Sequence, residues 1–342
     1  MPLALQPPLP PMEARSVDEI PSNDGWQYEP KWDGFRCLAF RDGKEVYLQS
    51  KAGQPLARYF PDVVGALSAL SAKQFVLDGE LAIPVGGALS FDELQLRLHP
   101  AASRVQKLAD AHPALFIAFD LLAGTDGKSR LDQPLQERRG QLEKFAAGFF
   151  PNEKQIRLSP ATTKLRQAEK WFAKVGGNLD GIIAKRADSP YASGERTAMV
   201  KIKQIRTVDC VVGGFRYASG APVVGSLLLG LYDDAGLLHH VGFTSAFKSS
   251  EKAALTKKFE ALKKAPGFTG NAPGGPSRWS TERSAEWEPV VPKIVVEVTY
   301  DHFTGERFRH GTKIVRWRKD KAPRQCTLDQ VAHREGKSLA LL

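Results

Sequence analysis

Apolar positions in this chain recur mostly every second residue, in short runs broken by a few stretches of helical spacing. Runs at 35–41 and 45–50 flank Asp42-Gly43, a good turn pair, and predict a hairpin. Residues 75–81 predict a short apolar strand ending in Asp78-Gly79-Glu80, and 115–122 (LFIAFDLL) a second one with a single acid, Asp120, inside it. Helical spacing marks 90–97, 104–111, 135–145 and 165–174. A strand is expected at 181–185, directly after Asp180, and another at 199–203, where a period of two puts Lys201 and Lys203 on one face. Past 204–207 the character changes. Strands are expected at 208–217, 225–232, 237–244 and 294–300, with one helix at 249–263 and a Pro/Gly-rich loop at 265–277. Several short strands with one helix and a basic face predict an OB-type barrel. The expected fold class is therefore α+β, with mixed antiparallel sheets and helices over 1–204 and a β-barrel over 205–342.

Composition narrows the class. The chain has 342 residues, enough for two domains, with 42% hydrophobic and 25% charged positions. No apolar run reaches the ~20 residues of a membrane helix, and MPLALQPPLPP lacks the charged lead and apolar stretch of a signal peptide. Its prolines favour an extended arm. Cys37, Cys210 and Cys326 are far apart and match no metal spacing, which fits a reducing cytoplasm. The net charge of +10 is uneven: +3 over residues 1–205 and +7 over 206–342. Eight basic residues against one acid crowd 307–324. A solvated basic face would explain this; a polyanion partner explains it better.

The densest chemistry is at 29–36, Glu-Pro-Lys-Trp-Asp-Gly-Phe-Arg, which contains Lys31-x-Asp33-Gly34-x-Arg36. A lysine with a free pKa of ~10.4 needs neighbouring cations or burial to become a nucleophile. Arg36 can orient a nucleotide bidentately, and Gly34 lets backbone approach a ligand. The other polar interruptions of apolar strands have structural explanations one at a time. Asp-Gly pairs make turns, Asp120 beside Phe119 fits a core ion pair, and two lysines on one face suit an edge strand. Taken together, Glu80, Asp120 and Asp180 offer acids for a divalent cation, Phe119 a face for a base, and Lys185, Lys201 and Lys203 charges for phosphates.

The order of these motifs resembles that of the covalent nucleotidyltransferases, specifically the ATP-dependent DNA ligases. The run is Lys31-Trp32-Asp33-Gly34-Phe35-Arg36, Ser50-Lys51-Ala52-Gly53, Asp78-Gly79-Glu80, Phe119-Asp120, Asp180-Gly181-Ile182-Ile183-Ala184-Lys185, Lys201-Ile202-Lys203 and Arg318-Lys319-Asp320-Lys321. The segments PPLPPMEARSVDEIP, SFDELQLRLHPAASRV and RWRKDKAPRQC look like the stand-alone bacterial ligase C (LigC) type. On that likeness no segment is expected for a helical DNA-clamping domain. Two positions depart from the family pattern. Lys51 stands where arginine is usual, exchanging a fork for a point charge. Asp180 stands where glutamate is usual and is one methylene shorter.

The resemblance implies a nucleotidyltransferase (adenylation) domain followed by an OB-fold domain, and sealing of nicks in duplex DNA. Lys31 would attack the α-phosphate of ATP, pass AMP to the 5′-phosphate at a nick, and leave the 3′-OH to expel AMP. Lys201 and Lys203 would hold the α-phosphate, Phe119 would stack on adenine, and Glu29 and Lys31 would meet the base edge through their backbone. Arg36, Lys51 and Glu80 would position the ribose and reacting phosphate, with Lys185 also binding nucleotide. Glu80 and Asp180 would hold Mg²⁺, which Mn²⁺ could replace. Arg316, Arg318 and Lys321 would orient the pyrophosphate, on a domain that pivots at 204–207. A monomer is expected, acting in DNA repair, with repair proteins as candidate partners. An RNA ligase or capping-type enzyme, or a non-catalytic OB-type nucleic-acid-binding protein, would share parts of this pattern.

Overall fold

The computed structural model describes residues 3–151, 154–173, 179–274, 286–331 and 338–342. Residue 174 of the expected fourth helix and 275–277 of the Pro/Gly loop lie outside these. The chain divides into two compact units, the first ending at Gln204 and the second running from Ile205 to Ala332. The described tail, 338–342, groups with the first unit, so the expected 205–342 span is shortened at its end. Leu339, Leu341 and Leu342 pack there against Trp32, Ile117 and Leu179.

In the first unit one sheet joins β1 (Arg15–Ser16), β2 (Trp26–Trp32), β10 (Leu179–Arg186) and β11 (Met199–Lys203) in the order β1-β11-β10-β2. The other joins β3 (Phe35–Asp42), β4 (Glu45–Ser50), β5 (Gln74–Ala82), β8 (Leu115–Ala123) and β9 (Ile156–Leu158) in the order β4-β3-β5-β8-β9. A small hairpin, β6 (Pro84–Val85) with β7 (Ala88–Leu89), follows β5. The Asp42-Gly43 turn forms as expected, with Gly43 at φ 61°.

Side-chain parity decides what each sheet faces. Tyr28, Ile182, Ala184, Val200 and Ile202 pack on Ala168 and Trp171 of helix α5 (Leu165–Ala173). Their alternates Glu29, Lys31, Ile183, Lys185 and Lys201 turn the other way. In the second sheet Cys37, Ala39, Leu77, Leu81, Phe116 and Ala118 pack on α1 (Pro61–Ala69) and α4 (Leu135–Phe149) through Val63, Leu67, Leu142 and Phe145. The alternates Arg36, Leu38, Asp78 and Glu80 face away from that core. Two further helices, α2 (Phe91–Arg97) and α3 (Ala102–Ala111), complete the layer. Ser90 caps α2 by accepting a hydrogen bond from the Glu93 N–H at 3.3 Å.

The second unit holds β12 (Arg206–Ala218), β13 (Ala221–Tyr232), β14 (Leu238–Thr244), α6 (Lys252–Glu260), β15 (Glu288–Pro289), β16 (Val295–Tyr300), β17 (Phe303–Thr304), β18 (Arg307–Phe308) and β19 (Lys313–Trp317). The main sheet runs β14-β13-β12-β16-β19, with β15 paired to β12. Here the expected barrel needs correcting. Among the described residues β14 and β19 are not paired along their length, and the sheet is not closed. An isolated bridge, Thr244 to Thr312, touches that edge. Phe308 of β18 packs over the face of Gly242 in β14. Among the described residues no helix is long and apolar enough to cross a membrane.

Candidate active site

The inward faces of the first unit's two sheets enclose a cavity of about 520 Å³. Glu29, Lys31, Ile183, Lys185, Met199 and Lys201 line it from one sheet, and Arg36, Glu80 and Phe119 from the other. Lys31, the last residue but one of β2, pairs in register with Gly181, which pairs in turn with Lys203. Glu29 pairs with Ile183, and Ile183 with Lys201. Two cross-strand rows therefore place the expected nucleophile beside both lysines of Lys201-Ile202-Lys203. β11 is an inner strand, so those lysines do not guard a sheet edge.

Asp180-Gly181 is not a turn. It lies inside β10, where the register slips between Leu179 and Gly181. Asp180 is the extra residue of this bulge, and a bulge re-aims its side chain. The Asp180 carboxylate reaches both lysines of that row: it pairs with Lys31 and lies 3.3 Å from Lys203 Nζ. Lys201 sits among Lys31, Lys203 and Lys51. Burial first, then these cations, push its ammonium below the usual lysine value, with Asp180 opposing.

Deeper in the cavity Lys185 Nζ and Glu29 Oε2 form a buried ion pair at 2.8 Å, and Gln27 donates to the other Glu29 oxygen at 2.7 Å. Phe119 has Lys185 Nζ at 4.6 Å and Arg36 Cζ at 4.7 Å from its ring centre. The fork of Arg36 is held by Asp78, with Nε and Nη2 each 2.5 Å from a carboxylate oxygen. The Tyr191 hydroxyl donates to the same carboxylate at 2.6 Å. Glu80 lies opposite Arg36 in register. Burial raises its carboxyl to about 7, against the pull of Lys31 and Arg36.

That value sets a pH test. A carboxyl whose folded pKa lies above its unfolded one stabilises the fold least when ionised, so the wild-type protein loses stability as pH rises from about 4.5 through about 7. Glu80→Gln stays neutral throughout. The melting temperature of the variant minus that of wild type should therefore grow between pH 5 and pH 8 in metal-free buffer. A difference independent of pH would remove the burial argument.

Asp120 is committed elsewhere. Arg138 of α4 donates Nε and Nη2 to its two oxygens, each at 2.9 Å, and both side chains are buried. Among the described residues no group of three or more His, Cys, Asp or Glu side chains converges. Glu80 lines the cavity, and the Asp180 carboxylate is paired with Lys31 and Lys203; carboxylate oxygens are the hard donors that Mg²⁺ takes.

The N-terminal arm is more than an extended lead, and sequence reasoning missed it. Pro11, Met12, Glu13 and Ala14 line the cavity, with Lys51 across the mouth. Only two residues of it, Arg15–Ser16, pair with β11, too few to leave a periodic signal.

Arg316, Arg318 and Lys321 belong to the second unit. Arg316 Nε binds Glu297 at 2.5 Å. Arg318 Nη1 lies 3.1 Å from Asp209 and its Nη2 2.8 Å from Asp320, while Lys321 Nζ lies 2.8 Å from Asp209.

Comparison with known proteins finds matches along nearly the whole chain. Residues 11–203 match the family described as "ATP dependent DNA ligase domain", and residues 220–321 match "ATP dependent DNA ligase C terminal region". DNA ligase C2 of Mycolicibacterium smegmatis is 45% identical, over 97% of this chain and 96% of that protein. DNA ligase C of Mycobacterium tuberculosis is 42% identical, again over 97% and 96%. A solved structure from a study of Lig E DNA ligases superposes with a TM-score of 0.55 at 16% identity, over 90% of this chain and 98% of that one, which shows a shared fold. With both family regions matched in order and near-complete overlap with these relatives, the chain belongs to the ATP-dependent DNA ligases.

Proposed function

We propose that the first unit binds ATP and transfers AMP to its own Lys31, and that the protein then seals nicks in duplex DNA. The observation that carries this is the pair of cross-strand rows that sets Lys31 among Lys201, Lys203 and the bulged Asp180, at a cavity floored by Phe119. The Lys31 amine attacks the α-phosphorus, the bond to the bridging oxygen breaks, and pyrophosphate leaves. Asp180 orients the amine before attack. Lys201 and Lys203 carry the charge that develops on the α-phosphate oxygens. Phe119 stacks on adenine, and the Glu29–Lys185 pair fixes the wall beside it, where the backbone of Glu29 and Lys31 meets the base edge. Arg36, held by Asp78, and Glu80 position the ribose, with Lys51 at the phosphates. Glu80 and Asp180 would hold a Mg²⁺ ion, which would supply Lewis-acid stabilisation of phosphoryl charge. In the second unit Arg316, Arg318 and Lys321 orient the pyrophosphate. AMP then moves to the 5′-phosphate of the nick, and the 3′-OH displaces it as the phosphodiester forms.

The wider setting we assign is DNA repair in a reducing cytoplasm, on the nucleoid when bound to DNA, by a monomer that repair proteins deliver. The three buried free thiols suit that compartment. The basic excess of the second part of the chain suits a duplex phosphate backbone.

The test uses pre-deadenylated protein, Mg²⁺, and α-labelled ATP or GTP, read on a denaturing gel and followed by a nicked duplex. Label from ATP alone and sealed duplex are expected. Label from GTP would point to capping chemistry. No label from either would leave a binding module.

A further inference from the structure

Trp32 follows the proposed nucleophile Lys31 directly and is held from several sides. Its side chain is buried with Ala82, Leu115, Ile117 and Leu179, so β2 and β10 of one sheet meet β5 and β8 of the other here. Leu179 is its partner in register, next to the row of Lys31 and Gly181. The indole N–H donates to the Ser159 hydroxyl at 2.9 Å. Ser159 is fixed in turn: its N–H donates to the Ala118 carbonyl at 2.8 Å, and its own carbonyl accepts from Arg139 Nη1 at 2.9 Å.

A further packing partner comes from far along the chain. After the second unit the chain returns to the first, where residues 338–341 form a 3₁₀ turn and the Leu342 N–H donates to the Leu339 carbonyl at 3.1 Å. Residues three apart share a side of such a turn, which brings Leu339 and Leu342 together. With Leu341 they pack on the Trp32 cluster beside Leu89 of β7, while Ala340 is exposed. Leu341 also joins the adjoining cluster of Tyr28, Ile182 and Val200, and Phe172 of α5 lies in both.

A single turn has no stable fold of its own, so its order comes from the apolar surface it covers. That surface includes Trp32, which shares a peptide bond with Lys31. Loosening the cluster lets Trp32 shift and carries Lys31 with it, while Phe119, Lys201 and Lys203 are held by other contacts. A misplacement of about 1 Å in a reacting group can cost ~100-fold in rate.

We propose that residues 339–342 are an apolar strap that seats Trp32 and so sets where the Lys31 amine lies. Leu339, Leu341 and Leu342 are positioning residues that act through Trp32. This deepens the proposed reaction and rests on it.

The experiment measures single-turnover self-adenylation against ATP concentration, and sealing of a pre-adenylated nicked duplex. It compares wild type, a serine pair (Leu339→Ser with Leu341→Ser), a methionine pair (Leu339→Met with Leu341→Met), Trp32→Phe, and the serine pair combined with Trp32→Phe. The serine pair should lower the saturated adenylation rate about tenfold, with half-saturating ATP and sealing each within about twofold of wild type, because sealing does not use the amine. The methionine pair keeps volume and apolarity and should adenylate at the wild-type rate. Trp32→Phe should also slow adenylation, and adding the serine pair should cost little more, since both act on one contact. Where the serine pair does not fold, Leu341→Ala takes its place in every comparison. Equal falls in both assays, or costs that multiply, would make the strap a general stabiliser and overturn the inference. Unchanged adenylation, or a change in half-saturation alone, would overturn it too. A wild-type protein that takes no label would instead sink the parent reading.

Discussion

Lys31→Arg takes no label from α-labelled ATP, while its sealing of a pre-adenylated nick survives. The loss in self-adenylation should exceed about 10⁴-fold, because an arginine never presents a neutral amine and forms no phosphoramidate here. Three other lysines line the cavity, so the choice of Lys31 needs an argument. Lys185 is buried in its pair with Glu29. Lys51 is more than half exposed and tied to Glu13. Lys201 adjoins Lys31 one row over, in register with Ile183. Only Lys31 combines a place near the strand end, where the β2–β3 turn opens the backbone, with an acidic partner aimed by a bulge. The pre-adenylated nick already carries AMP on its 5′-phosphate, so the final displacement asks nothing of the Lys31 amine. Label on Lys31→Arg at the wild-type rate would move the nucleophile to Lys201. Loss of both activities would mean that the substitution had damaged the cavity rather than removed a nucleophile.

The parts of this site that could be read from sequence are those whose chemistry is local. Lys201 and Lys203 share a face because a strand has a period of two, and β11 occupies Met199–Lys203 as expected. The hairpin at Asp42-Gly43 follows from its turn residues. Helix α1 was not expected: Val63, Val64 and Gly65 are poor helix formers, and burial of Val63, Ala66 and Leu67 in the core overrides that propensity. β19 was hidden inside what looked like a basic stretch, since its sides are partly exposed and Arg316 answers to Glu297 on β16. The commitment of Asp120 to Arg138 and the sharing of Asp180 by two lysines are cross-element facts. Nothing within a few residues of either acid announces its partner. Closure of the second unit's sheet is equally non-local, decided by whether its two edge strands meet.

The bulge in β10 carries the second large effect, which Gly181→Ala should expose. Gly181 has φ of 141°, a region that L residues scarcely enter. A Cβ there would lie 1.9 Å from the Ile202 carbonyl oxygen and 3.1 Å from the Lys203 Cα, both backbone atoms that no rotamer change can clear. β10 and β11 must separate at the point where Lys31, Gly181 and Lys203 lie in one row. Backbone strain and lost strand pairing together should cost more than about 4 kcal/mol, beyond the range of ordinary substitutions. Self-adenylation should fall below detection even where folded protein remains, because Asp180 then loses its line to both lysines. Gly43→Ala is the matched control: its φ of 61° is also positive, but nothing lies within 4 Å of the added Cβ. It should cost only about 1 kcal/mol and leave adenylation intact. Thermal unfolding and label incorporation, run on both variants, separate the outcomes. If Gly181→Ala melts within about 2 °C of wild type and labels normally, the bulge does not place Asp180. The geometry that sets Lys31 among its partners would then have to come from the Glu29–Lys185 side of the cavity.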